Sequence, residues 1–271
     1  MPTSKTENVK AASEARYKAP ALTKGLLILE TLAEYPAGLS LTEIAKRLQM
    51  TVNEIFRMVI TLQEQKYISL GEDEKFRLTL KLFEIAHRQE PVHSIVTVAL
   101  PHMQQLANKT LQSCHLAVYY DGRSMIVAQV DSPERWTFSV KVGAIVDLLQ
   151  TSSGNVMLAF SSDLRRTQML EEHRSLPTSR PIDETELNLR LAEVRSQGGW
   201  SAKSQQTVGV TNIARPIFAQ DNSVAGVLIV PFLDRVSPED QPSLDEVKTQ
   251  LALIAKDISR LLGFSGPRTG G

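Results

Sequence analysis

The chain is predicted to be an α+β protein, with a small helical domain followed by a larger one containing a sheet. Three observations carry this. Residues 40–68 hold two capped amphipathic helical patterns with almost no connection between them. Residues 67–78 then alternate around a polar turn, and from residue 114 onward two long alternating hairpins are separated and followed by helical patterns. A length of 271 residues suits a small domain plus a larger one, and 42% hydrophobic with 22% charged residues is an ordinary globular composition.

Residues 1–19, with Lys5, Lys10, Arg16 and Lys18, are polar and mildly basic and read as a disordered arm. A first helix begins near Thr23, with Leu26, Leu29 and Leu32 on one side, and stops at Pro36 and Gly38. Ser40 caps the second, and Glu43 three residues on completes a capping box. Thr51 and Glu54 repeat the device for the third, whose buried stripe is Ile55, Val59 and Leu62. Two helices joined this tightly match the helix-turn-helix, although an ordinary helical hairpin gives the same pattern. Tyr67–Leu70 and Lys75–Leu78 then flank the turn Gly71–Glu74 as a two-stranded wing. The predicted winged helix-turn-helix covers 20–78, with a linker helix over 79–90.

The remainder, residues 91–264, opens with a helix from Ser94 to Thr110. A hairpin over His115–Asp131 turns at Asp121-Gly122, a strong turn signal. Residues 137–143 offer a further strand, Thr151 caps a helix, and 183–197 form another helix ended by Gly198-Gly199. A second hairpin turns at Asp221-Asn222, and the last helix runs from Leu244 to Leu262, leaving 265–271 as a tail. Hairpins with helices before, between and after them make an antiparallel sheet flanked by helices.

Bulk properties narrow the function. The formal net charge is zero, so any nucleic-acid contact must come from local potential. The single cysteine, Cys114, excludes an internal disulfide and the usual multi-cysteine zinc sites. No apolar run approaches the ~20 residues that span a bilayer and the N-terminus lacks a signal-peptide core, so a cytoplasmic protein without membrane contact is expected. No nucleophile elbow, phosphate-binding glycine loop or metal motif is present, so neither catalytic residues nor a cofactor or metal are expected. Alternation places Cys114 and His115 on opposite faces of their strand, and both read as structural.

In order and spacing, GLSLTEIAKRLQM, FRMVITLQEQKYI, FRLTLKLFEIA, CHLAVYYDG, TSSGNVMLA and NIARPIFAQDNSVAGVL resemble the IclR family of bacterial transcriptional regulators, from about Leu22 to Gly263. The resemblance implies a winged helix-turn-helix joined by a helix to a GAF-like effector domain. It also implies a homodimer or homotetramer that binds a palindromic operator and responds to a small organic acid. Repressor and activator are equally compatible, because the sign depends on operator position. Two other classes stay open: a small-molecule-processing enzyme that uses the winged domain to oligomerise, and a protein-interaction module, which the acidic wing favours.

On the DNA side the outward residues of the third helix are Asn53, Phe56 and Arg57. Arg57 can pair with guanine O6/N7 or a phosphate, Asn53 with adenine N6/N7, and Phe56 can lie against a thymine methyl. Lys46 and Arg47, and Lys75 and Arg77 in the wing, are candidate phosphate contacts. The family often shows Lys-Ser-Thr at the start of this helix and a histidine before the arginine. Here Val52-Asn53-Glu54 and Phe56 stand there, and Glu54 would repel a phosphate unless the capping box engages it.

On the effector side, the free N–H groups and dipole where a helix opens at Ser152 and Ser153 make a carboxylate site. The resemblance places the acid group of the effector here. It places the other pocket positions on Asn212, Leu228 and Val230, with Phe138, Val146 and Val210 expected close by. Aliphatic residues at two of those three positions point to a larger acid, aromatic or medium-chain.

Overall fold

The computed structural model describes residues 19–86, 92–179, 181–204, 207–234 and 241–266. The arm, apart from Ala19, the C-terminal part of the linker helix and residues 267–271 lie outside the described residues. The chain divides between Gln89 and Glu90 into two compact units.

The first unit comprises α1 (Pro20–Ala33), α2 (Leu41–Arg47), α3 (Val52–Glu64), β1 (Ile68–Leu70), β2 (Phe76–Leu78) and α4 (Lys81–Ala86). Helix α1 starts earlier than predicted because Pro20, whose φ is already helical and whose missing N–H would be unpaired there anyway, occupies its first turn. Both capping boxes form: the Ser40 N–H donates to Glu43 Oε2 over 2.8 Å, and the Thr51 N–H to Glu54 Oε2 over 2.9 Å. The α2–α3 turn passes through Gln49 at φ 54°, and the Met50 N–H reaches the Ala45 carbonyl. Strands β1 and β2 pair antiparallel, Ser69 opposite Arg77, and Leu39 adds a bridge to Phe76. The core joins Ile28 and Leu32 of α1, Ile44 of α2, Ile55 and Val59 of α3, and Ile68 and Phe76 of the wing.

The second unit comprises α5 (Val92–Thr110), β3 (Cys114–Tyr120), β4 (Arg123–Val130), β5 (Ile145–Asp147), α6 (Ser152–Phe160), α7 (Asp163–Arg174), α8 (Glu184–Ser196), β6 (Trp200–Lys203), β7 (Val210–Phe218), β8 (Val224–Leu233) and α9 (Leu244–Leu261). All six strands form one antiparallel sheet in the order β5-β4-β3-β8-β7-β6. The hairpins turn as predicted, with positive φ at Asp121, Gly122 and Asn222. Helices α5 and α9 cover one face over Cys114, Leu116, Ile213, Leu228 and Val230. Helices α6, α7 and α8 cover the other over Ala117, Ile126, Ala214, Val227 and Ile229.

Residues 137–143 are not a strand. The Val140 N–H reaches the Gln129 side chain, Ser139 bonds Asp131, and the chain turns at Gly143 (φ 85°). Backbone pairing with β4 starts only at Gly143 and Ala144, each bonded to Ile126, and β5 follows. Helix α7 and strand β6 add to the predicted elements.

Candidate functional site

In the first unit the outer face of α3 is Asn53, Phe56 and Arg57, all exposed, opposite the buried Ile55 and Val59. Arg57 makes no ion pair among the described residues. Glu54 beside them is engaged twice. It accepts from the Thr51 N–H and hydroxyl, and from Lys24 Nζ of α1 over 3.0 Å. Those bonds, the Thr51 backbone first and then Lys24, lower its pKa to about 2.

The other basic candidates differ in freedom. Arg47 is drawn back onto Tyr35: its Nη1 donates to the hydroxyl over 2.6 Å, and its guanidinium sits 3.8 Å from the ring centroid. Arg77 forms a two-pronged pair with Asp73 of the wing turn and holds that carboxyl at about 2. Lys46 is exposed, while the half-buried Lys75 adds positive potential at Glu43 after the dominant Ser40 hydrogen bonds. Asn53, Phe56, Arg57 and Lys46 are therefore open to solvent, and Arg47 and Arg77 are internally paired. Phosphate contact by either arginine would require it to leave its partner.

In the second unit a cavity of about 120 Å³ lies on the α6 side of the sheet. His115, Ile126 and Asn212 form its floor from β3, β4 and β7; Phe138, Val140 and Val146 supply one wall; Gln150–Ser153, Ser204 and Thr207 supply the rest. A larger open groove adjoins it through Gln150, Ser152 and Asn212 and extends to Arg190, Trp200 and Lys203.

The loop entering α6 is tightly built. Asp147 Oδ1 accepts from the N–H groups of Leu149 and Gln150 over 2.7 and 2.8 Å, and its carbonyl accepts from Thr151 Oγ1 over 2.6 Å. Thr151 then caps the Gly154 N–H. A side chain at Gly154 would place its Cβ 1.8 Å from the Leu148 carbonyl oxygen, so glycine is required for this approach. The N–H groups of Ser152 and Ser153 have no acceptor among the described residues, which leaves the positive end of α6 open at the cavity.

Five of the eight predicted ligand residues meet here: Phe138, Val146, Ser152, Ser153 and Asn212. Leu228 and Val230 do not. They are fully buried against α5 and α9, on the opposite face of the sheet. Register explains the difference: Asn212 pairs with Pro231 and His115 with Ile229, so Val227, Ile229 and Pro231 share the cavity face. Val210 is buried at the start of β7 and does not line the cavity. His115, which the sequence reading treats as structural, does line it, whereas Cys114 lies in the opposite core.

The Bacterial transcriptional regulator IclR C-terminal model matches residues 90–260, and the IclR helix-turn-helix domain model matches residues 21–70. The chain belongs to the IclR family. Among IclR-family relatives, the HTH-type transcriptional regulator KdgR of Escherichia coli K12 is 29% identical over 241 residues, covering 88% of this chain and 90% of its own. Two solved IclR structures share the fold. The Thermotoga maritima IclR has a TM-score of 0.68 at 22% identity, over 90% of this chain and 99% of that one. An IclR homolog complexed with 4-hydroxybenzoate, from Microbacterium hydrocarbonoxydans, has 0.71 at 23%, over 89% and 98%. This IclR-family chain is thus a transcriptional regulator with a helix-turn-helix DNA-binding domain rather than an enzyme. None of its described helices is long and apolar enough to cross a membrane.

Proposed function

We propose that this regulator binds a palindromic operator through α3 and that a small organic acid in the α6 cavity sets its operator affinity. The observation that carries the ligand reading is the open N-terminus of α6 at Ser152 and Ser153, set into the wall of a cavity. Uncompensated N–H groups and the helix dipole favour a carboxylate there. The apolar lining of Ile126, Phe138, Val140 and Val146 supports an aromatic or medium-chain body for the acid. Leu228 and Val230 lend that reading no support, because they face away. The Microbacterium homolog, complexed with 4-hydroxybenzoate, is a precedent for an aromatic acid.

The break at residues 89/90 supports a winged domain over 20–78 and an effector domain over 91–264, with 79–90 between them. Exposed Leu22, Leu26 and Leu80 on the first unit support association into a homodimer or homotetramer. An acid can shift the operator-competent state only by the difference in its affinity for the two states.

Calorimetry with a panel of carboxylates on the full-length protein tests the ligand reading, and preferential binding of glyoxylate or pyruvate would overturn the larger-acid assignment. Footprinting on the DNA upstream of the protein's own gene, with and without the preferred acid, tests the regulatory reading. A protected palindrome whose occupancy changes with the acid is the expected result.

A further inference from the structure

The peptide that joins Thr151 to Ser152 is held from behind by a buried amide. Its carbonyl, on Thr151, accepts from Asn155 Nδ2 over 2.7 Å, besides the ordinary helical bond from the Asn155 N–H. The second proton of that amide goes to the Leu149 carbonyl over 3.0 Å. A trans peptide is planar, and its N–H points opposite to its carbonyl. Holding the Thr151 oxygen therefore aims the Ser152 N–H, one of the two open donors at the cavity. Asn155 is 1% exposed and does not itself line that cavity.

Asn155 can make both bonds only with its amide one way round, because the nitrogen carries two donors and the oxygen none. Arg190 of α8 fixes that orientation: its Nε–H donates to Asn155 Oδ1 over 2.9 Å. With the amide reversed, the Nε–H would face an NH2 group and the oxygen would face two carbonyls. Nη1 of the same guanidinium is turned to Glu186 of its own helix, donating to Oε1 over 3.3 Å. Arg190 is half-buried in the adjoining groove and is absent from the cavity lining.

We infer that Arg190 is a positioning residue for effector binding: through Asn155 it aims the Ser152 N–H at the effector's carboxylate without touching the effector. This rests on the reading that the α6 N-terminus holds that carboxylate. The working group is the Nε–H, and the charge is incidental. Arg190→Gln keeps an N–H donor at the same place along the side chain, whereas Arg190→Met puts a methyl group there.

The test is calorimetry on the full-length protein with benzoate, hexanoate and pyruvate. For the acid that wild type binds most tightly, Arg190→Met should weaken binding roughly tenfold, the scale of a misaimed hydrogen bond to a charged group. Arg190→Gln should stay within about threefold of wild type, because the donor to Asn155 is kept. Equal losses in the two variants would mean that the charge meets the ligand directly. An unchanged Kd in Arg190→Met would mean that the aim of Ser152 does not depend on Arg190. Either result overturns the role of Arg190 alone. If no acid binds wild type, the carboxylate reading fails and this inference with it. A second measurement needs no ligand. In the free protein the Ser152 amide resonance should move in Arg190→Met and hold its wild-type position in Arg190→Gln. A resonance unmoved in Arg190→Met overturns the inference, whatever the melting temperature does.

Discussion

Lys24 of α1 lies 3.0 Å from Glu54 of α3 and neutralises the one acidic residue in the first turn of the candidate recognition helix. Without this pair an anionic side chain would stand beside Asn53 and Arg57 on the face proposed to meet the DNA backbone. Lys24→Met is therefore expected to weaken operator binding, and Lys24→Met/Glu54→Gln to recover most of the loss. Gel-shift titration of both variants checks this. A double variant no better than the single one would place Lys24 itself on the DNA.

Arg57 and Arg77 should behave differently although both are arginines in the winged domain. Arg57→Ala is expected to cost about 1–3 kcal/mol of operator affinity and to relax preference at one base position if it reads a base. Arg77→Ala should cost much less, because Asp73 already holds the guanidinium. Equal losses in a gel-shift series would mean that Arg77 leaves Asp73 on binding.

Leu228→Ala tests which face of β8 the residue occupies. Removing a fully buried leucine from the α5–α9 side should cost about 2–5 kcal/mol in denaturant unfolding and leave the ligand Kd unchanged. Gly154→Ala should have a different signature. Its Cβ would collide with the Leu148 carbonyl and displace the start of α6, so ligand binding should be lost, measured by calorimetry on folded protein.

Stability should fall in two stages as the solution is acidified. His115 has an ordinary value of 6.5 and a folded value of about 4, so its contribution is complete above pH 6.5 and declines as pH falls towards 4. Glu54 and Asp73 start from 4.5 and 3.8 and drop to about 2, so theirs are lost below pH 4.5. Melting temperatures against pH should follow this order, and His115→Phe should remove the upper stage while keeping the lower.

Cys114 is fully buried, its thiol donates to the Met103 carbonyl over 3.4 Å, and burial pushes its pKa up to about 12. A thiol reagent should label it only when the protein unfolds. Rapid labelling of the native chain at neutral pH would contradict this environment.

The legible parts of the chain are those with local chemistry of their own. The two capping boxes place α2 and α3 from four residues, and the Asp121-Gly122 turn places the first hairpin. Thr151 likewise marks the start of α6 and with it Ser152 and Ser153. Helix α7 carries no such mark: its sequence is strongly polar, and only Met169 and His173 are buried. Strand β6 is four residues at a sheet edge. The cavity face of β8 is hidden for another reason. Val227 to Val230 is an apolar run buried on both faces, so no alternation reveals which side of the sheet each residue takes. Only pairing with β3 and β7, distant in sequence, decides it.

The split of β8 between two faces also limits how this domain can change. From Val227 to Phe232 the odd positions face the α6 side and the even positions hold the opposite helices, whereas Val224 and Ala225, beyond the register shift opposite Ile217 and Phe218, have the reverse assignment. Inserting or deleting a single residue between Val227 and Phe232 would exchange the two sets and expose each to the wrong helices. The stretch from Val227 to Phe232 can therefore vary by substitution but not in length.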